Sequence, residues 1–187
     1  MPSCNILLIR HGITDYNRQG RIQGQLDIPL CDQGRRQAQE LAQRFKPGQI
    51  QAIYSSDLSR AKETAEIIAR AIKLPVEEYR PDLREICFGH WQGHTMAEVA
   101  QLYPEELALW RADQTYSAPH GGESFAQMTE RGWKAVQEIA ASHPGQTVAV
   151  VAHGGLIKGI LCMANSMDLS QRSQLVLDNA SYTTIEL

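Results

Sequence analysis

Short apolar strands alternating with amphipathic helices predict an α/β protein: a three-layer α/β/α sandwich around a mostly parallel central sheet, with an inserted cap segment. Three observations carry that expectation. Residues 5–9 and 148–152 are continuous apolar runs, the pattern of strands covered on both faces. The stretches between strands repeat apolar residues at helical spacing. Residues 80–122 break the alternation and suit a cap over the sheet's edge.

In chain order, residues 5–9 form the first strand and 52–54 the next. Between them Asp32 caps a helix whose buried stripe is Ala38, Leu41, Ala42 and Phe45, and Pro47-Gly48 ends it. A second helix begins near Asp57, buries Ala61, Ala65, Ile68, Ala69 and Ile72, and stops at Pro75. Residues 76–79 read as a further strand, and 96–102 and 104–110 as two short helices inside the cap. Phe125, Met128, Trp133, Val136, Ile139 and Ala140 mark a longer helix that stops at His143-Pro144-Gly145. After the 148–152 strand, Leu156, Ile157, Ile160 and Leu161 mark another helix, and 175–177 and 182–187 read as closing strands. Right-handed crossovers between parallel strands then place helices on both faces of the sheet.

The 187 residues suffice for one well-filled core and are few for two, so residues 1–187 are expected to form a single domain with the cap inserted at about 80–122. A formal net charge of −3, with both signs mixed along the chain, lacks the basic face that nucleic acid requires and points to a small substrate. No apolar run approaches the roughly 20 residues that cross a bilayer. The start, Met1-Pro2-Ser3-Cys4-Asn5, does not open a signal-type segment, so a cytoplasmic protein without a membrane partner is expected. Cys4, Cys31, Cys87 and Cys162 are scattered, with no Cys-x-x-Cys pair, and read as reduced, mostly buried thiols. A closing strand near the C terminus would offer an edge for pairing, which leaves a homodimer open.

In α/β sheets, ligands bind beyond the carboxyl ends of the strands. Arg10 and His11 follow the first strand, Ser55 to Arg60 follow the second, and His153-Gly154-Gly155 follows the 148–152 strand. Two arginines, two histidines and a helix amino terminus are thereby expected on one sheet edge. Each suits a tetrahedral dianion: guanidinium forks grip pairs of oxygens, and first-turn amides add donors and a favourable dipole.

The residues at these loops resemble the histidine phosphatase superfamily, which includes the cofactor-dependent phosphoglycerate mutases. The resemblance runs through Leu8-Ile9-Arg10-His11-Gly12 with Thr14 and Asn17, then Gly20-Arg21-Ile22-Gln23-Gly24, Asp27-Ile28-Pro29-Leu30 and Gly34. It continues through Ser55-Ser56-Asp57-Leu58-Ser59-Arg60-Ala61, Leu83-Arg84-Glu85-Ile86-Cys87-Phe88-Gly89, Gly121-Gly122-Glu123-Ser124 and Ala152-His153-Gly154. It implies that His11 attacks phosphorus to form a phosphohistidine, that Arg10, Arg60 and His153 hold the phosphoryl group, and that Glu85 is the general acid. Asn17 and the Gly154 amide are implied as further donors, with Gln23, Gly24, Arg21 and Arg84 on the substrate. Neither a metal nor a cofactor is expected, because the arginines and histidines supply the charge that magnesium supplies elsewhere.

Within the resembling family, mutases carry a longer insertion with adjacent arginines and a lysine for the substrate's second acidic group. Residues 85–121 here hold Arg111 as their only arginine or lysine, which favours a phosphomonoester phosphatase over a mutase. A catalytically silent phosphate-binding module is opposed by the presence of both His11 and Glu85. His153-Gly154-Gly155 is similar to an oxyanion-hole sequence, but the Gly-x-Ser-x-Gly elbow of serine hydrolases is missing. The resemblance suggests a small phosphorylated metabolite as partner: phosphoserine, a ribazole phosphate, or a sugar or glycerate phosphate. Gly121-Gly122-Glu123-Ser124 and Asn179-Ala180-Ser181-Tyr182 resemble the metal-independent phosphoserine phosphatases and favour the first.

Arg21, Gln23, Arg84, His90 and His120 are the polar groups expected near the variable end of the substrate. His90 and His94 are spaced like two metal ligands on one helix face, yet Gly89, Trp91 and Gly93 argue against a helix there, and the pocket rim is the expected place for both. Glu123 is expected to stabilise a helix start.

Overall fold

The computed structural model describes residues 2–187. Its strands are β1 (Asn5–Arg10), β2 (Ala52–Ser56), β3 (Glu78–Arg80), β4 (Thr147–Ala152) and β5 (Tyr182–Glu186). Its α-helices are α1 (Asp15–Gln19), α2 (Asp32–Ala42), α3 (Ser59–Ile72), α4 (Met96–Leu102), α5 (Pro104–Ala112), α6 (Phe125–Ser142) and α7 (Gly154–Ala164). The strands form one sheet in the order β3-β2-β4-β1-β5, with β5 antiparallel to β1 and every other pair parallel. The chain is thus an α/β sandwich around a mostly parallel sheet.

Alternation along the central strands divides the core in two. Ile6, Leu8, Val148, Val150 and Ala152 face α6 and α7, against Met128, Val136, Ile139, Leu156, Ile157 and Ile160. Leu7, Ile9, Ile53, Ala149 and Val151 face α2 and α3, against Ala38, Leu41, Ala61, Ala65 and Ile68. Both faces of β1 and β4 are therefore dry, which is why these segments are unbroken apolar runs. Each buried leucine, isoleucine or valine in them contributes roughly 1.5–3 kcal/mol of transfer free energy.

Between β3 and α6 the chain builds a small cap around Trp91, Val99 and Leu107, packed against Ile22, Phe88, Tyr103 and Trp110. Thr95 and Glu98 form a capping box at the start of α4, and Pro104 opens α5 at a position where a missing amide costs nothing. Backbone bonds from Ile22 to the His94 carbonyl (2.9 Å) and from Gly93 to the Ile22 carbonyl (2.8 Å) tie the cap to the loop after α1.

Several local expectations need correction. Residues 175–177 are not a strand: Val176 is exposed, and the Leu177 carbonyl accepts a bond from Arg10 Nη1 at 2.6 Å. That apolar triplet has no neighbouring strand to pair with. The strand expected at 76–79 lies at Glu78–Arg80, where residues 54–56 of β2 supply its partners. The helix after β2 begins at Ser59 rather than Asp57, because Asp27 accepts the Ser59 amide at 2.7 Å and Asp57 turns toward Arg84. Helix α1, closed by a Thr14–Asn17 capping box, was not foreseen, since its five residues bury none of their own side chains.

Candidate active site

Because β2, β4 and β1 are adjacent, their carboxyl ends open onto one place. Register pairs Arg10 with Ala152, so the next residues, His11 and His153, sit side by side, their ring centroids 5.1 Å apart at 61°. Arg60 arrives from the first turn of α3, one loop beyond β2. Arg10, His11, Asn17, Arg21, Gln23, Gly24, Arg60 and Glu85 all line a cavity of about 190 Å³. His153 lies against it through His11 and is fully buried.

The donor pattern at the histidines determines which atom can react. His11 Nδ1 lies 2.6 Å from the Gly12 carbonyl, which can only accept. Nδ1 therefore carries the proton, and the lone pair of the neutral ring is on Nε2. Burial, then Arg60 and then Arg10 push the His11 pKa down to about 3, against the opposing bond to Gly12. Burial first, followed by Arg60 and His11, also pushes His153 well below the ordinary imidazole range. Burial lowers Arg60 to about 10 and lowers Arg10 as well, with Glu85 opposing in both cases. Near neutral pH the site thus holds two neutral imidazoles and two guanidinium cations.

Three buried donor positions in this cluster have no protein partner: Arg10 Nε, Arg60 Nε and His153 Nδ1. Buried polar atoms are rarely left this way without a ligand or water to satisfy them. The remaining bonds fix the frame. Arg60 donates to the carbonyls of Leu26 (2.8 Å) and Gly24 (2.7 Å), and Ser56 Oγ meets His153 Nε2 at 2.8 Å. Asn17 Oδ1 accepts from the Thr14 amide at 3.1 Å, which leaves its NH₂ group for the cavity. Gln23 accepts from the Thr14 hydroxyl at 2.7 Å.

Glu85 is held by α7. Its Oε2 accepts from the Gly155 amide at 2.9 Å and its Oε1 from the Leu156 amide at 3.0 Å. The expectation that several first-turn amides of this helix face a substrate is thus revised: two belong to Glu85, and the Gly154 amide is the one that Glu85 does not take. The glycines permit this packing. A Cβ on Gly155 would stand 2.5 Å from Glu85 Oε1, and one on Gly154 would stand 3.1 Å from Arg10 Nε.

Other expected residues lie elsewhere. Arg84 forms a bidentate pair with Asp57 (2.7 and 2.5 Å) and does not line the cavity. Arg21 reaches the cavity rim, with Nη1 held by the Gly93 carbonyl and Glu98 and Nε by Gln19. His90 and His120 belong to the cap, where His90 packs on Tyr103 (4.2 Å) and faces Glu106 (3.3 Å). His94 faces Glu98 at 3.7 Å and packs edge-on to Tyr103, so neither histidine at 90 or 94 reaches the pocket rim. Among the described residues, no group of three or more His, Cys, Asp or Glu side chains is placed to hold a metal ion. Glu123 does not stabilise a helix start, a task Ser124 performs; it accepts from the Cys87 amide and pairs with Arg131 at 2.6 Å.

Arg131, on α6, went unnoticed in the sequence. It donates to the carbonyls of Asp82, Arg84 and Glu85 at 2.8–2.9 Å and so positions the segment that presents Glu85. A second cavity, of about 320 Å³, shares Arg10 and Glu85 with the first.

The family model described as histidine phosphatase superfamily (branch 1) matches residues 6–187. The chain belongs to the histidine phosphatase superfamily. This histidine phosphatase is 42% identical over 157 residues to a metal-independent phosphoserine phosphatase of Arabidopsis thaliana, covering 83% of this chain and 66% of the relative's length. It is 37% identical over 183 residues to phosphoserine phosphatase 1 of Hydrogenobacter thermophilus, covering 97% and 86%. The native structure of a mycobacterial glucosyl-3-phosphoglycerate phosphatase superposes with a TM-score of 0.87 at 37% identity, covering 98% of this chain and 90% of that one. The histidine phosphatase described here is, with these relatives, a phosphoric monoester hydrolase.

Proposed function

We propose that this protein hydrolyses a small phosphomonoester, without a metal, through a phosphohistidine on Nε2 of His11. The observation that carries the proposal is the Nδ1 contact to the Gly12 carbonyl: it leaves the nucleophilic lone pair on Nε2, in a cluster with three unpartnered donor positions. Arg10, Arg60, the Asn17 amide and the Gly154 amide bind the phosphoryl oxygens. His153 joins them as the tautomer in which the Ser56 hydroxyl donates to Nε2 and Nδ1 carries the proton.

His11 Nε2 attacks phosphorus as the ester P–O bond breaks, and a protonated Glu85 gives its proton to the departing alkoxide. In the second step the Glu85 carboxylate takes a proton from water, whose oxygen attacks phosphorus. The P–N bond breaks, phosphate leaves, and the imidazole returns to its neutral form. Cationic guanidinium groups offset charge on the equatorial oxygens in both steps. Phosphoserine is the favoured substrate, on the strength of the 121–124 and 179–182 segments and of the relatives' names.

The test is a rapid quench with ³²P-labelled phosphoserine in the presence of EDTA. Acid-labile, base-stable label on His11 and continued phosphate release are expected, with both lost in His11→Asn. Label on another residue would overturn the phosphohistidine at His11, and efficient isomerisation of phosphoglycerate primed with bisphosphoglycerate, without phosphate release, would overturn hydrolysis in favour of a mutase.

A further inference from the structure

The larger cavity contains a charge imbalance that phosphate binding does not absorb. Arg172, in the turn Leu169–Gln174, is 8% exposed and lines this cavity together with Lys158, Gln114, Phe125, Arg10 and Glu85. Its guanidinium sits 3.9 Å over the Phe125 ring and donates to the Leu169 carbonyl at 2.8 Å. Its other contacts, to Thr115 and Gln114, are all 3.4 Å long. Lys158 lies one helical turn beyond Gly154, and i, i+4 spacing puts it on the same face of α7. Among the described residues, no carboxylate comes within 4.0 Å of either cation. Burial lowers the Arg172 pKa, the expected response of a cation without a counter-ion.

A buried cation without a counter-ion is destabilising unless something outside the chain completes it. Glu85 and Arg10 line both cavities, so an alcohol oxygen at Glu85 directs the rest of the ester into the larger one. In the smaller cavity the peripheral cation, Arg21, is half-neutralised already by its pair with Glu98. We infer that Arg172 and Lys158 form a second anion subsite that binds a carboxylate carried by the alcohol half of the substrate. This rests on the phosphatase reading and narrows it. Phosphorylated hydroxy acids and amino acids fit, whereas ribazole and neutral sugar phosphates would leave both cations unpaired.

Non-hydrolysable phosphonates test the subsite independently of turnover. 2-Amino-4-phosphonobutanoate is the isostere of phosphoserine, and 3-aminopropylphosphonate is the same molecule without the carboxylate. Calorimetric titration of the full chain should show the first binding tighter by about tenfold or more, as a charge-assisted pair in a partly desolvated site requires. Arg172→Met and Lys158→Met should each bring that ratio to within about threefold. Equal affinities in the wild type, or a ratio retained in both variants, would overturn the subsite. A variant that weakens both phosphonates alike, keeping their ratio, counts against it as well, because that is the signature of a merely structural role. If the ratio is as expected but no phosphohistidine forms, the subsite stands and the phosphatase reading falls.

Discussion

In the proposed mechanism His11 and Glu85 divide the labour at the reacting bond, and leaving groups can tell them apart. An alkyl alcohol must be protonated as it departs, whereas p-nitrophenolate is stable as an anion. Glu85→Gln should therefore reduce kcat for phosphoserine by about 10²–10⁴-fold and for p-nitrophenyl phosphate by much less. Equal losses on both esters would deny Glu85 the role of general acid. Sequence adjacency could not settle which side chain of the Arg84-Glu85 pair enters the site. Neighbouring residues in an extended segment point to opposite sides, and Arg84 points to Asp57. Lys158 was equally hard to find, although its spacing from Gly154 was there to be read once α7 was placed.

Elements matter here as mounts for single residues. Helix α7 offers two amides to Glu85, and α6 sends Arg131 to the carbonyls of Arg84 and of Glu85 itself. Arg131→Met is expected to lower kcat for phosphoserine by about tenfold or more with little change in the inhibition constant of inorganic phosphate, since the phosphate donors stay in place. Loss of phosphate affinity equal to the loss in kcat would instead mean that the whole pocket had collapsed. Gly155→Ala should act similarly, because its methyl group meets the Glu85 carboxylate. Strands and long helices were legible because burial on one or both faces writes a period into the sequence. The 175–177 triplet misled because an apolar run carries no information about whether a strand lies beside it. Arg131 was invisible for a related reason: the carbonyls it holds are more than 40 positions away in sequence, that of Glu85 by 46.

The molecule as a whole should be acid-sensitive. Folded His11 stays neutral down to about pH 3, while an unfolded histidine takes a proton near pH 6.5. Between those values the unfolded chain binds more protons, so stability is complete above about pH 6.5 and declines as the pH falls. His153, also lowered, has the same sign. For His11 the loss between pH 7 and 5 is about 2 kcal/mol, readable in urea unfolding. His11→Asn should flatten that decline by a comparable amount, and an unchanged slope in the variant would contradict the assignment.

The position of β1 has a temporal consequence. Its partners are β4 and β5, and the backbone around Arg10 and His11 is completed by Ser181 and Ala180. During synthesis β1 is made well before β4 and β5, so both its edges stay open until those two strands have left the ribosome. Such long-range pairing folds slowly and exposes unpaired backbone in the interval. The loop that carries His11 is thus made early and assembled late, once β4 and β5 are in place beside β1.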